Sequence, residues 1–282
     1  MWLALETLYE SNIGFRVDTK VFAIHTDIIP IEQQLEEWRA SLNPVLTLTT
    51  TQELSEDDEE AYSLSKRLRV ILSLRYHSLC VLVNRPILDF CLQNLEDARD
   101  SETYQALMLR EFGGQNRRAS LESAIVIVDI VHTILHSSRL SRKLLGAWWF
   151  TFYYTFNATL TIAAVMLIDR SRFPGGRDFS GMQDDVLKEY LDKAIDCLPL
   201  VDPGNQMVSK CTQVTSTIRR YLNLVASSNQ PDDHLGDPNA EVAVVDFPID
   251  PTHIGLDWLP DGFDPILQSD VVDGTCDMNV FY

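Results

Sequence analysis

Residues 144–168 read LLGAWWFTFYYTFNATLTIAAVMLI, a run of 25 residues with no ionisable side chain other than tyrosine. A helix that is apolar on every side has no face to offer water, so it must lie inside a protein core or inside a bilayer. Small residues recur along it at helical spacing, and such a ridge lets another helix approach closely. The ridge consists of Ala147, Thr151, Thr155, Ala158 and Thr159.

Two interpretations of this run remain open. At about 1.5 Å rise per residue it could span a bilayer, which would make the chain a single-span membrane protein with an acidic tail. However, it contains four threonines and Asn157, and basic residues flank both of its ends, so no membrane orientation is favoured. Several one-sided helices elsewhere in the chain need an apolar partner. We therefore predict an all-α fold without a membrane partner, a multi-helix bundle around this one apolar central helix.

The flanking helices are predicted from apolar stripes and their boundary residues. Asp27–Leu42 has Pro30 in its first turn, and a spine helix begins with Ser55 as N-cap and continues until Pro86 kinks or ends it. The remaining predicted helices are a terminal one in residues 1–15, a short one at Glu102–Phe112 closed by Gly113-Gly114, and longer ones at Arg118–Leu135, Asp184–Leu198 and Gly204–Ala226. No segment alternates long enough to predict a strand.

Charge divides the chain into two parts. The 282 residues carry a formal net charge of -18, yet residues 228–282 alone contain eleven Asp and one Glu with no Lys or Arg. Such a field repels nucleic acid, so the chain by itself is predicted to be a poor DNA or RNA binder. The expected organisation is a helical domain at 1–227 and an acidic hydrophobic tail at 228–282.

The tail has the composition of a disordered activation segment. Prolines break any helix, and acids alternate with apolar residues without a packing period. Charge would keep these apolar side chains solvated until a partner groove binds them. The candidate contact residues are Phe247, Trp258, Leu259, Phe263, Ile266 and Leu267.

The five cysteines are odd in number, widely spaced and free of any C-x2-C pair. They indicate buried thiols in a reducing compartment and neither a disulfide framework nor a zinc site. Met1-Trp2-Leu3 opens directly on apolar residues, so we expect no signal peptide. An opening that looks like the middle of a helix suggests that the chain is a fragment of a longer protein.

No catalytic motif is recognisable, and we predict no catalytic residue and no enzyme activity. The best candidate for chemistry is Asp129 with His132 and His136, whose spacing places all three on one helix face, as a metal site requires. A helical metal-binding enzyme is therefore an alternative. His132 also falls on an apolar stripe, so we favour a buried, hydrogen-bonded histidine and no bound metal.

Three stretches resemble the regulatory domain, also called the middle homology region, of fungal transcription factors of the binuclear zinc cluster class. LSLRYHSLCVLVNRPIL at 72–88 is similar to that family's helix ending in a hydrophobic-x-Arg-Pro-hydrophobic-Leu signature. IEQQLEEWRASLNP at 31–44 is similar to the preceding helix, and residues 144–167 look like the family's tryptophan-containing apolar helix. The residues that carry the resemblance include Trp38, Arg75, Tyr76, Arg85, Pro86, Leu88, Trp148 and Trp149.

The resemblance covers roughly residues 24–226 and corresponds to the C-terminal half of such a factor. The six-cysteine DNA-binding module is absent, so the chain is expected to need no cofactor, and zinc belongs only to that module. The resemblance implies a nuclear regulator of polymerase II transcription in a metabolic or biosynthetic pathway. Its implied partners are coactivator machinery, a small-molecule inducer and a second copy of the chain, with DNA bound only through the missing module.

Overall fold

The computed structural model describes residues 21–56, 64–93, 104–138, 140–172 and 182–228. Within these ranges 88% of the residues are helical and no strand occurs, which confirms the predicted all-α fold. The helices are α1 (Val21–Ala40), α2 (Thr51–Glu56), α3 (Leu64–Gln93), α4 (Tyr104–His136), α5 (Trp148–Arg172), α6 (Asp184–Val201) and α7 (Gln206–Ser228). Short 3-10 turns lie at Pro44–Leu46 and Arg142–Leu145. The predicted tail and the helix expected in residues 1–15 lie outside the described residues.

The centre of the bundle is shared by α4 and α5. Helix α5 packs against α3, α4, α6 and α7, and α4 packs against α1, α2, α3, α5 and α6. Ile127, Ile130 and Ile134 of α4 and Ile162 and Val165 of α5 are completely buried. Each such side chain contributes about 1.5–3 kcal/mol when it leaves water, so these two helices supply much of the driving force for folding.

Four of the five residues of the predicted ridge of small residues are buried, and Ala147 is half-buried. Thr151, Thr155 and Thr159 are at most 1% exposed. The Thr155 hydroxyl donates to the Thr151 carbonyl at 2.8 Å, and the Thr159 hydroxyl donates to the Thr155 carbonyl at 2.7 Å. Because each hydroxyl bonds to its own helix, the ridge can lie in the core without an unsatisfied polar group.

Arg170 joins the last three helices. Its guanidinium donates to both carboxylate oxygens of Asp184 at 2.9 and 3.0 Å and to the Leu222 carbonyl. The Arg170 side chain is only 8% exposed, so this bidentate pair is largely shielded from water. The pair fixes the ends of α5, α6 and α7 together.

The sequence analysis predicted one continuous helix for the central apolar run, and this prediction is wrong. Leu144 and Leu145 belong to the 3-10 turn, and α5 begins only at Trp148. Gly146 separates them with φ 79° and ψ -141°, a backbone conformation that only glycine adopts readily. The start of α5 is buried on one side only: Thr151 and Phe152 are buried, whereas Trp149, Phe150 and Tyr153 are 43–51% exposed.

The break predicted at Gly113-Gly114 is wrong. Both glycines lie inside α4, which runs from Tyr104 to His136, and neither has a positive φ. A glycine inside a helix costs about 1 kcal/mol relative to alanine, which is less than the burial of the apolar side chains that follow on the same helix provides.

Two other predicted helix boundaries differ from the structure, and of the two outcomes predicted at Pro86, a kink or an end, the end does not occur. Ser55 lies inside α2, and the spine helix α3 begins at Leu64, so Ser55 does not cap the spine helix. The Thr50 hydroxyl, just before α2, accepts from the Glu53 amide at 3.3 Å. Pro30 lies inside α1, which begins at Val21, and α3 continues past Pro86 to Gln93. Packing on both sides of each proline offsets the lost backbone hydrogen bond. Leu64 and Leu68 of α3 are 65% and 40% exposed.

Two described helices are long and apolar enough to cross a membrane, Gly113–His136 and Trp148–Arg170. In these segments 56% and 67% of the most apolar window is buried inside the bundle. Core helices of water-exposed bundles meet the same criterion of length and composition, so this feature alone is weak evidence for membrane insertion.

Candidate functional site

Polar side chains meet in the otherwise apolar contact between α1, α3 and α4. We call this set the polar seam, and it comprises Glu32 and Glu36 of α1, Tyr76, His77, Cys80 and Asn84 of α3, and Asn116, Arg117, Ser120 and Ser123 of α4. Residues three or four apart share one face of a helix, which is why they converge here. Buried polar groups that bond across three helices fix the relative positions of those helices.

Tyr76 lies at the α1 end of the seam and is 5% exposed. Its hydroxyl donates to Glu36 Oε1 at 2.5 Å, and its ring stacks on Trp38 with centroids 6.1 Å apart. Arg39 lies 6.0 Å from the ring centre and forms an ion pair with Glu36 at 2.6 Å. Burial, with the bond to Glu36, raises the pKa of Tyr76 far above its usual range, so the hydroxyl remains a donor.

Asn84 connects all three helices through its amide. The Nδ2 group donates to Glu32 Oε1 at 3.1 Å and to the Cys80 carbonyl at 3.0 Å, and Oδ1 accepts from Asn116 Nδ2 at 2.8 Å. Asn84 is 1% exposed, so these bonds replace the water contacts that it loses on folding.

His77 and Cys80 lie beside Ser123 in the middle of the seam. The Ser123 hydroxyl is 3.3 Å from His77 Nδ1. Burial, with Arg39 nearby, lowers the pKa of His77 to about 4. Burial raises the pKa of the Cys80 thiol to about 11, with Glu32 and Glu36 contributing in the same direction. At neutral pH both groups are uncharged, so neither is a thiolate nucleophile or an acid of suitable strength.

The seam ends at Arg117, which is 1% exposed. Its Nη1 atom donates to Cys91 Sγ at 3.8 Å, and its Nε atom has no hydrogen-bond partner. Asn116 Oδ1 and Ser120 Oγ are likewise buried without a partner. The polar side chains of the seam thus have hydrogen-bond partners at Tyr76 and Asn84, whereas polar atoms at this end have none.

The residues that carry the family resemblance do not form a single cluster. Trp38 and Tyr76 meet in the seam, and Leu88 is buried in the apolar core. Arg75 is exposed, Pro86 is half-buried, and Arg85 is exposed with Asp89 at 3.8 Å.

At the start of α5, Trp148 packs half-buried against a small cluster that contains Phe152 and Val208. The Trp149 ring, 6.0 Å from it, is 46% exposed. The roles implied for these residues by the resemblance therefore remain predictions, as do those of the tail residues, which lie outside the described part of the chain.

The proposed metal-ligand residues are occupied by other contacts. The rings of His132 and His136 stack with centroids 4.1 Å apart, and the Asp129 carboxylate accepts from the Tyr190 hydroxyl at 3.3 Å. Within the described residues no group of three side chains is arranged to hold a metal ion. Burial raises the pKa of Asp129 and lowers that of His132, which makes the charged forms of both less favourable.

A hollow of about 270 Å³ lies between α5, α6 and α7. Three basic side chains line it: Arg219 pairs with Asp192 at 2.9 Å, Lys188 pairs with Asp184 at 2.9 Å, and Arg220 is the third. Two of the three basic groups at its rim are thus held in ion pairs.

The seam was not recognised from the sequence. Asn116 and Ser120 stand four apart in a segment that continues into the apolar run from Ala124, and Cys80 and Asn84 stand four apart in α3. Small polar residues at helical spacing within apolar helices were the available signal. Their function as bridges depends on which helices pack together, which periodicity alone does not determine.

Comparison with known proteins identifies fungal relatives. The chain is 28% identical over 207 residues to "Transcription factor FBD3" of Fusarium pseudograminearum, an alignment that covers 71% of this chain and 26% of the relative. It is 27% identical over 194 residues to the protein of the same name in Gibberella moniliformis, covering 69% of this chain and 25% of the relative. The chain thus spans about a quarter of the length of the curated relatives it matches.

No protein-family profile matches the chain. No solved structure matches it either. The similarity to the two FBD3 proteins is therefore the comparison that bears on function.

Proposed function

We propose that this chain is the regulatory and activation region of a fungal transcription regulator of the zinc-cluster type. The observation that carries the proposal is the similarity to two proteins named as transcription factors over about 70% of the chain. The helical part relays or restrains activity, and residues 228–282 recruit coactivator machinery.

DNA binding in this proposal comes from a six-cysteine zinc module on the longer protein or from a partner, because the acidic chain repels the DNA backbone. The regulator acts in the nucleus on polymerase II promoters of one metabolic or biosynthetic pathway. The same proposal includes the binding of a small-molecule inducer and the formation of a homodimer. Both would involve the helical region at 1–227.

A reporter assay tests the activation role. Residues 228–282 are fused to a heterologous DNA-binding domain in a fungal host, and we expect strong reporter activation. Trp258→Ala combined with Phe263→Ala should abolish it, because these rings would enter the partner's apolar groove. The control pair is Val242→Ala with Val245→Ala, which keeps the charge of the tail and should activate normally. A tail that is expressed, nuclear and silent would contradict the activation role.

A membrane protein with an acidic tail is the second candidate, since two described helices meet the length and composition criterion for a span. Carbonate extraction of cell membranes distinguishes the candidates. The transcription proposal requires the chain in the supernatant, and recovery in the membrane pellet would favour the membrane protein.

A further inference from the structure

An exposed aromatic patch lies at the start of α5. Trp149, Phe150 and Tyr153 are 46%, 51% and 43% exposed. Their rings form one continuous surface, because the Trp149 and Phe150 centroids are 5.9 Å apart and Tyr154 joins the other two. The Tyr154 ring stacks on Phe150 at 6.1 Å and lies 6.0 Å from Tyr153. Contiguous apolar surface of this kind marks an interaction site, whereas single exposed apolar side chains are ordinary.

The patch continues along α5 as a stripe of outward-facing residues, which we call the outer stripe. It comprises Phe150, Tyr153, Asn157, Leu160 and Ala164. All five are exposed or half-buried, and none belongs to either apolar cluster of the described core. Successive members stand alternately three and four residues apart, which is the spacing of the contact positions in a coiled coil. A single polar residue such as Asn157 at a contact position fixes the register of two paired helices.

The outer stripe carries no charge. Residues 144–168 contain no Asp, Glu, Lys or Arg, so a charged partner would find no counter-charge along the stripe. A second copy of this chain presents an equally uncharged face. Two chains that each carry a net charge of -18 repel each other, and this repulsion is weakest where neither surface is charged. The surface that matches the outer stripe is therefore the same stripe on a second copy.

Basic side chains at one end of the stripe determine the direction of pairing. Arg142 and Lys143 precede the stripe, and both are exposed. Parallel α5 helices would bring these cations of the two copies together. Antiparallel helices separate them by the length of the stripe, about 21 Å at 1.5 Å per residue, so like-charge repulsion is much weaker.

The antiparallel arrangement also matches the side chains across the contact. Phe150 of one copy would meet Leu160 of the other, and Tyr153 would meet Asn157. Asn157 Nδ2 donates to the Tyr153 carbonyl of its own helix at 2.8 Å, and its Oδ1 atom can accept a further hydrogen bond. We propose that two copies of this chain pair antiparallel through the outer stripe of α5.

The exposed area indicates a weak dimer. A fully buried aromatic side chain removes about 150–250 Å² from water, so the three exposed rings still present roughly 300 Å² per copy. With the half-buried side chains of the stripe and its flanks, two copies would bury about 1,000 Å² in total, near the lower limit of specific interfaces. The inference specifies the homodimer of the proposed function, but dimerisation is measured without any transcription assay.

Sedimentation velocity of the full 282-residue chain tests the pairing. We expect a monomer–dimer equilibrium with a Kd on the order of 50 μM, measured from about 1 to 300 μM. Dimerisation should strengthen when sodium chloride is raised from about 0.05 to 0.5 M, because salt screens the repulsion between two acidic chains.

Two substitutions that add the same charge distinguish the outer stripe from the rest of the surface. Phe150→Glu should weaken dimerisation at least about tenfold, because it places carboxylates in an apolar contact. Leu224→Glu, at a leucine of α7 that is 58% exposed, should change the Kd by less than about twofold. Tyr153→Glu is the second stripe variant if circular dichroism shows that Phe150→Glu does not fold.

Disulfide cross-linking tests the direction. In a Cys276→Ser background, oxidation of a mixture of Tyr153→Cys and Asn157→Cys chains should give a linked dimer, whereas either variant alone should give little. Efficient linking of each variant to itself would overturn the antiparallel order.

A chain that stays monomeric up to about 300 μM at both salt concentrations would overturn the proposal. A dimer that is unaffected by both stripe variants, or weakened equally by Leu224→Glu, would also overturn it. A silent reporter fusion of the tail would leave a measured dimer intact, and a monomeric chain would leave the activation role intact.

Discussion

Individual polar side chains determine how α1 fits against α3 and α4. The apolar residues Ile28, Ile31 and Leu35 bury α1, but apolar contact alone permits several rotations of a helix. The bonds from Tyr76 to Glu36 and from Asn84 to Glu32 select one of them. Specificity at this contact thus comes from two hydrogen bonds within a mostly apolar interface.

Tyr76→Phe tests the first of these bonds. Removing the hydroxyl should lower the free energy of unfolding by about 1 kcal/mol, because Tyr76 is buried while Glu36 can return to water. Urea denaturation measures the change. Tyr153→Phe, which alters a tyrosine that is 43% exposed, is the control and should change stability by less than about 0.5 kcal/mol. Equal effects of the two substitutions would show that the bond to Glu36 does not stabilise the fold.

His77 makes stability depend on pH. Its pKa in the folded chain is about 4, below the usual 6.5, so the folded state binds the proton more weakly than the unfolded state. The contribution of neutral His77 to the free energy of unfolding is therefore fully present above about pH 6.5. It is lost as the pH falls towards 4, and the loss is about 2 kcal/mol at pH 5.

Urea denaturation at pH 7.5 and pH 5 checks this dependence. His77→Gln should lose less stability between these pH values than the wild-type chain does. His136→Gln, at an exposed histidine, should retain the wild-type loss. An identical loss in wild type and His77→Gln would refute the assignment.

At the scale of whole elements, the sequence predicts helix content well and helix ends less well. The periodic stripes of α6 and α7 give their bounds within a few residues. Gly113-Gly114 and Pro86 are strong local signals for an end, yet α4 and α3 continue through them. The reason is that the energy of long-range packing exceeds a local propensity of about 1 kcal/mol for glycine and about 3 kcal/mol for proline.

Gly146 and Gly114 form a matched pair of tests. Gly146→Ala should destabilise the chain by about 2 kcal/mol, because φ is 79° and the added Cβ would lie 3.2 Å from Ile71 Cδ1. Gly114→Ala should stabilise it by about 0.5–1 kcal/mol, since this glycine is inside a helix and nothing lies within 4 Å of the added Cβ. Thermal or urea unfolding compares them. Destabilisation by both substitutions to the same extent would contradict the backbone assigned to α4.

At the scale of the molecule, the all-α fold was accessible from sequence, while the candidate site was not. The apolar run at 144–168 requires other helices to pack around it, and such helices are present in the described bundle. Two unpartnered donors and one acceptor around Arg117 became visible only when α3 and α4 were placed side by side. Periodicity in a sequence predicts which face of each helix is apolar. Whether a charged side chain becomes buried depends on how the helices pack together.

The most direct test of the account is reporter output from the full 282-residue chain fused to a heterologous DNA-binding domain, compared with a fusion of residues 1–227. The account predicts strong activation by the full chain and none by residues 1–227, because the activating residues lie in the acidic tail. If the full-chain fusion is nuclear, binds its promoter and gives no more output than the DNA-binding domain alone, the chain is not the activating region of a transcription regulator.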